Sequence, residues 1–356
     1  MTLIEPIGPT KVETPYSIKN LPPLIIGGTV FNHNYNLDPE NMPCEEILNT
    51  AFSNGLIAID TSPYYGPSEE ILGRALKNVD QTWPRESYYI CTKVGRLGLN
   101  KFDYSRQHVR RSVQNSLKRI QTNYLDLVYM HDVEFVTEEE TFEALKELAL
   151  MKKEGFVRNI GVSAYPVDYL YKVCLKCHTE YSSEIGSLDA ALSYANACIQ
   201  NITLLRYRED FFNKCGIKKL MNGSILSLSL LRTAKTHDFH PASKELKQRV
   251  NEVAHHLKEK HGVELADLAT RFAINNWLFQ KDTEGEKNAY LKNYSDCSIV
   301  LGVSNVQELL GALSGYWMVK KNIDFINNKD RPLFNEVKEL LGPEHYNETW
   351  ESGIKH

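Results

Sequence analysis

The chain reads as an α/β protein built as a single closed (β/α)8 TIM barrel. Three observations predict it. Eight short apolar runs alternate with helical patterns, which calls for a parallel sheet covered by helices. No GxGxxG follows the first run, so a doubly wound nucleotide-binding sheet lacks its fingerprint. The length, 356 residues with 42% hydrophobic, suits one barrel of this type.

Residues 1–20 are polar, proline-bearing and unpatterned, and predict a loose arm ahead of a barrel spanning 21–356. Leu24-Ile25-Ile26-Gly27-Gly28 is the first strand, its glycines permitting close approach at the carboxyl end. A helix over Cys44–Asn54 is closed by Gly55. Ile57-Ala58-Ile59 forms the second strand, and Asp60 and the turn-rich Thr61-Ser62-Pro63-Tyr64-Tyr65-Gly66-Pro67 follow it. Ser68 opens the next helix as its cap, with Glu69 and Glu70 at the positive end of the helix dipole. Tyr88–Thr92 makes the third strand, ending at Lys93-Val94-Gly95.

Ser105 caps a helix with apolar residues at Val109, Val113, Leu117 and Ile120. Leu125–Met130 is the fourth strand, ending at His131-Asp132, and a helix over Thr137–Lys153 stops at Gly155. Asn159–Ser163 is the fifth strand. The remaining strands are expected over Leu188–Leu192, Ser224–Leu228 and Ser298–Leu301, with helices over Ser243–His261 and Leu265–Trp277. The charged segment 280–296 reads as an insertion loop, and residues from Tyr316 onward as a segment that wraps the barrel.

A formal charge of −4 gives no reason to expect a nucleic-acid or acidic-membrane partner. No apolar run reaches the ~18 residues of a membrane span. The opening residues lack the basic start and apolar centre of a secretion signal, so a cytoplasmic protein is expected. Seven scattered cysteines suit reduced thiols. Cys174-x-x-Cys177-His178 resembles half a zinc site, but it has no second half and falls on a helical pattern. No metal is therefore expected.

In a barrel of this kind the carboxyl ends of the strands share one face, where reactive groups collect. Three successive strand ends supply Asp60 and Tyr65, Lys93, and His131. A buried lysine paired with a carboxylate keeps its charge, and that charge beside a phenol is expected to lower the phenol's pKa from ~10 toward neutrality. Tyr65 could then exchange a proton with an alcohol or carbonyl oxygen that His131 orients or polarises.

The run Asp60-Thr61-Ser62-Pro63-Tyr64-Tyr65-Gly66-Pro67-Ser68-Glu69, with Cys91-Thr92-Lys93-Val94-Gly95 and Asp126-Leu127-Val128-Tyr129-Met130-His131, resembles the aldo-keto reductases over roughly 22–320. His131-Asp132-Val133-Glu134-Phe135 and Phe239-His240-Pro241-Ala242-Ser243 extend the likeness toward that family's sugar dehydrogenases. The resemblance implies a tetrad of Asp60, Tyr65, Lys93 and His131 and a nicotinamide cofactor extended across the barrel mouth. It further implies cofactor contacts from Gly28, Ser163, Ser193, Ser229, Leu231, Gly302 and Glu308.

Two departures concern the nicotinamide: Ser193 and Asn196 stand where the family often has a glutamine, and Leu228 where an aromatic often stacks. The third is Glu308, which stands where NADPH-using members carry a basic residue, and it points to NAD; a solvated glutamate at a helix start is the plainer account. The expected reaction is NAD-dependent oxidation of an aldose such as D-arabinose at its anomeric carbon. The lactone formed would be of the kind that leads to ascorbate-like antioxidants. Asn32, His33, Asp132 and Glu134 are the candidates for binding sugar hydroxyls. An NADPH-dependent aldehyde reductase and a cofactor-sensing regulatory subunit are the alternatives, and a monomer or weak homo-oligomer is expected.

Overall fold

The structure, a computed structural model, describes residues 5–14, 16–280, 292–293 and 296–356. Eight parallel strands close into a barrel: β1 (Leu24–Gly27), β2 (Ala58–Asp60), β3 (Tyr89–Val94), β4 (Leu127–His131), β5 (Ile160–Ser163), β6 (Ala190–Tyr194), β7 (Lys219–Gly223) and β8 (Cys297–Gly302). Each strand pairs with its sequence neighbours, and β1 closes the ring against β8 with Leu24 opposite Ile299 and Gly27 opposite Gly302. The strands are apolar because both faces are covered, by helices outside and by interior side chains within. Leu24, Ile26, Ile59, Val128 and Ile299 are all buried. Side chains of this size contribute about 1.5–3 kcal/mol each on burial.

The outer layer is α1 (Cys44–Ser53), α2 (Ser68–Val79), α3 (Arg106–Ile120), α4 (Glu138–Lys153), α5 (Val167–Thr179), α6 (Thr203–Cys215), α7 (Lys244–His261), α8 (Leu265–Ala273) and α9 (Val306–Lys321). Ser105 caps α3 as expected, accepting from the His108 N–H, and Thr137 forms a reciprocal capping box with Glu140 at α4. Ser68 departs from expectation. It lies inside α2 behind the cap residue Pro67, and its hydroxyl donates to the Gly28 carbonyl at 2.9 Å. Glu69 and Glu70 lie in the first turn as expected, and Glu69 is also buried, accepting from Thr92, Ser116 and Arg119, so it ties α2 to β3 and α3.

The seventh strand was expected over Ser224–Leu228 and lies instead at Lys219–Gly223. Polar residues hide it. Lys219 is buried with its ammonium donating to the Leu21 carbonyl at 2.7 Å, and Asn222 donates to the Ala197 carbonyl at 2.8 Å. The following segment turns instead of extending, with left-handed backbone at Ser224, Ser227, Leu228 and Ser229. The sixth strand is shifted two residues beyond the expected span. The helix expected to reach Trp277 ends at Ala273 and continues as a π-helical turn over Ile274–Leu278.

The described part of residues 1–20 lies against the barrel, with Ile7 buried and its N–H bonded to the Asn54 carbonyl at 2.9 Å. Within the expected insertion, Gln280 pairs antiparallel with Lys292, Asn293 pairs with Phe279 and Asp296 is described; the rest falls outside the described residues. Cys174 and Cys177 are buried free thiols on α5. No described helix is long and apolar enough to cross a membrane. The C-terminal helix Arg331–His345 packs against α7, and residues 347–356 return across the barrel mouth, where Trp350 stacks on Tyr165 with ring centroids 4.3 Å apart.

Candidate active site

The strand ends build the site. Register sets Asp60 beside Cys91, Lys93 beside Tyr129 and His131 beside Ser163, so three neighbouring strands deliver the three groups to one rim. Tyr65 comes from the loop after β2, whose turn is closed by the Tyr65 N–H bonding the Ser62 carbonyl at 3.0 Å. The loop after Lys93 passes through Gly95 at φ +102°, where a Cβ would lie 2.5 Å from the Tyr104 ring; only glycine fits there. Tyr104 in turn donates to the carbonyl of His131 and fixes the end of β4.

The tetrad meets. The Lys93 ammonium is ion-paired with Asp60, donates to the Thr61 carbonyl at 3.0 Å and lies 4.9 Å from the centroid of the Tyr65 ring. Burial works against its charge, but Asp60 and then Tyr65 outweigh burial and raise its pKa, so it stays an ammonium. The rings of Tyr65 and His131 meet edge to face at 5.7 Å between centroids. Burial pushes the imidazole's pKa well below its usual range, and the Lys93 and Arg96 cations push it further, so His131 is neutral.

Tyr65 corrects one expectation. Its pKa is raised, not lowered: desolvation of the buried phenol outweighs the Lys93 charge, which Asp60 partly cancels.

A cavity of about 1390 Å³ runs from the tetrad to the start of α9. Ser163, Ser229, Gly302, Glu308, Asn32 and Asp132 line it. Ser163 accepts from the Asp132 N–H at 3.3 Å. Glu308 also caps its own helix, accepting from the Ser304 N–H at 2.8 Å while its N–H donates to Asn305. Five expected contacts are not brought to the cavity wall. Gly28 is turned toward Thr61 and Ser68, with Gly27 lining instead. Ser193 is buried, donating to the Tyr165 carbonyl at 3.1 Å, and Leu231 sits in the apolar cluster under α7. His33 is exposed. Glu134 is buried beneath the C-terminal tail, accepting from the Tyr165 N–H at 3.0 Å and the Ser352 hydroxyl at 2.9 Å. Packing against neighbouring segments, which the spacing of residues does not encode, decides all five.

Sequence reasoning missed Arg96, Tyr194 and Trp350, all on the cavity wall. Arg96 is ion-paired with Asp132 and lies over the Tyr64 ring, 4.1 Å from its centroid. The signal available was an arginine three residues past Lys93 and an acid one residue past His131. Arg271 lines the distal cavity, held by Asp330 through two hydrogen bonds of 2.6 and 2.9 Å. On the outer surface, His256 and His261 converge on Glu336, whose carboxylate Lys260 also holds; this is the one described group with metal-ligand chemistry.

The family model for the aldo/keto reductase family matches residues 23–328. The chain is 46% identical to the D-arabinose 1-dehydrogenase of Saccharomyces cerevisiae, covering 96% of this chain and 97% of the relative. It is 31% identical to the L-galactose dehydrogenase of Arabidopsis thaliana, covering 85% of each. Its fold matches that of an aldo-keto reductase from Bacillus halodurans in the holo form, with TM-score 0.62 at 16% identity over 92% of this chain and 96% of that one. The chain belongs to the aldo/keto reductase family, oxidoreductases that use a nicotinamide cofactor.

Proposed function

We propose that the protein is an NAD-dependent aldose 1-dehydrogenase that oxidises D-arabinose, or a sugar of like configuration, at the anomeric carbon to the lactone. The observation that carries the reading is the end-to-end likeness to a D-arabinose 1-dehydrogenase, in a chain whose Tyr65, Lys93 and His131 meet at one cavity. The cavity fits an extended dinucleotide: it is long, it has Ser163 near the tetrad, and its far end opens at the N-terminus of α9, where free N–H groups favour phosphate.

Ser163 would hold the nicotinamide end, and Ser229, Gly302 and Glu308 the phosphate and adenosine end. When bound, the cofactor supplies the hydride acceptor. Tyr65 takes the proton of the anomeric hydroxyl, and Lys93 stabilises the phenolate form that does so. Asp60 holds Lys93 in place. His131, neutral, donates a hydrogen bond to the reacting oxygen. Asn32 and Asp132, with Arg96 behind Asp132, are placed to hold the remaining sugar hydroxyls.

The charges lining the cavity favour NAD. Lys93, Arg96 and Arg271 each already face a carboxylate, from Asp60, Asp132 and Asp330, and Asp267 and Glu308 add negative charge to the wall. A 2′-phosphate would meet acids and committed cations, whereas a free 2′-hydroxyl can donate to a carboxylate. The test is kcat/KM for NAD and for NADP, with D-arabinose, L-fucose, L-galactose and L-xylose as substrates. NAD is expected to be preferred by tenfold or more, ~1.4 kcal/mol; equal values, or no turnover of any of the four sugars, contradict the reading.

A further inference from the structure

The imidazole of His131 can help at the sugar oxygen only if the nitrogen facing the cavity carries the proton. Its other nitrogen, Nδ1, lies 3.0 Å from the hydroxyl of Ser62. Both residues are buried, Ser62 completely. The Ser62 oxygen accepts the backbone N–H of Tyr64 at 3.1 Å, and among the described residues Nδ1 is the one hydrogen-bond partner that can take its own proton. On the opposite edge of the ring, Nε2 faces the Asp132 carboxylate at 3.6 Å, an arrangement that also favours a proton on Nε2.

We infer that Ser62 is a positioning residue that holds His131 as its Nε2–H tautomer, so that the ring donates to, and does not repel, the oxygen being oxidised. The inference rests on the proposed sugar oxidation for its kinetic consequence, but the tautomer itself belongs to the protein without substrate.

The groups around the ring agree with this assignment. Lys93 and Arg96 are the cations nearby, and together with burial they keep the ring neutral, so the choice is between two neutral tautomers. Tyr64 and Tyr65 pack edge to face against it at 5.8 and 5.7 Å, confining its plane without supplying a proton. The same loop ties the parts together, since the Ser62 carbonyl accepts from the Tyr65 N–H at 3.0 Å. One serine thus takes the Tyr65 backbone on its carbonyl and the His131 ring on its hydroxyl. With alanine at 62, Nδ1 would become a buried acceptor without a donor. The ring could relieve this by moving its proton to Nδ1, which would turn a lone pair on Nε2 toward the lone pairs of the substrate oxygen.

Two measurements test this. Long-range proton–nitrogen NMR correlations of the apoprotein, with His131 identified by its loss in His131→Asn, read the tautomer directly. The wild type is expected to show a protonated Nε2 and a bare Nδ1, and Ser62→Ala to show a mixture or the reverse. In steady-state sugar oxidation, Ser62→Ala is expected to lower kcat about ten- to hundredfold, with a smaller change in KM. A wild-type ring protonated on Nδ1, or a Ser62→Ala protein with unchanged kcat, overturns the inference. The wild-type spectrum decides even if the variant folds poorly. Failure of the wild type to oxidise any aldose would sink the proposed function without altering the spectrum, so the two failures are distinguishable.

Discussion

Tyr65 works between two opposed effects. Burial holds its proton on, and the Lys93 ammonium makes that proton easier to lose. The base form is the phenolate, so sugar oxidation should rise with pH as the phenol ionises. Lys93→Met removes the effect that lowers the phenol's pKa and keeps the one that raises it. The alkaline rise in kcat should therefore move to higher pH, and the rate at neutral pH should fall about 100-fold. A pH–rate profile in Lys93→Met that overlays the wild type contradicts this role for Lys93. That Asp60, Tyr65, Lys93 and His131 face one cavity was legible in the sequence because each sits at a strand end or in the loop beyond it, where the fold itself dictates direction. The balance of burial and charge at Tyr65 was not, since it depends on the packing of residues far apart in the chain.

Among the elements, the C-terminal tail was expected to wrap the barrel, and its end crosses the barrel mouth. Glu134 holds it: the carboxyl accepts from Ser352, and the main-chain carbonyl accepts from the Ile354 N–H at 2.8 Å and from His356 at 2.9 Å. Burial, with the neighbouring Asp132 charge, raises the Glu134 pKa to about 8. The folded state therefore binds a proton that the unfolded chain has already lost between the ordinary carboxyl range and pH 8. This contribution to stability is fully present below about pH 4.5 and is lost as pH rises through about 8. In Glu134→Gln, melting temperature measured across pH 5 to 8 should decline less steeply than in the wild type. An identical slope in both proteins contradicts the assignment. The seventh strand shows why such features escape a reading by pattern. Lys219 and Asn222 are polar yet interior, and their nitrogens donate to carbonyls of segments that only the closed barrel brings near. The apolar run that follows them is a turn.

At the scale of the molecule, alternation of strands and helices called for a parallel sheet covered on both faces, and the missing GxGxxG set the barrel above the doubly wound sheet. The strand ends then placed Asp60, Tyr65, Lys93 and His131 at one cavity. The contacts expected for the cofactor were less legible: Gly28, Ser193 and Leu231 lie off the cavity wall, a difference of register and packing that sequence likeness does not resolve. The ion pairs that leave the lining cations committed join residues as distant as Arg271 and Asp330, so they emerge only in the folded chain.

Oxidation of an aldose in this barrel is expected to run through proton transfer at Tyr65. This is tested most directly by following NAD reduction with D-arabinose in the wild type and in Tyr65→Phe, with NAD binding measured alongside by fluorescence quenching. Turnover by the wild type, and a loss of roughly 100- to 10,000-fold in kcat for Tyr65→Phe with NAD affinity unchanged, is the result predicted. Wild-type turnover retained in Tyr65→Phe would contradict it.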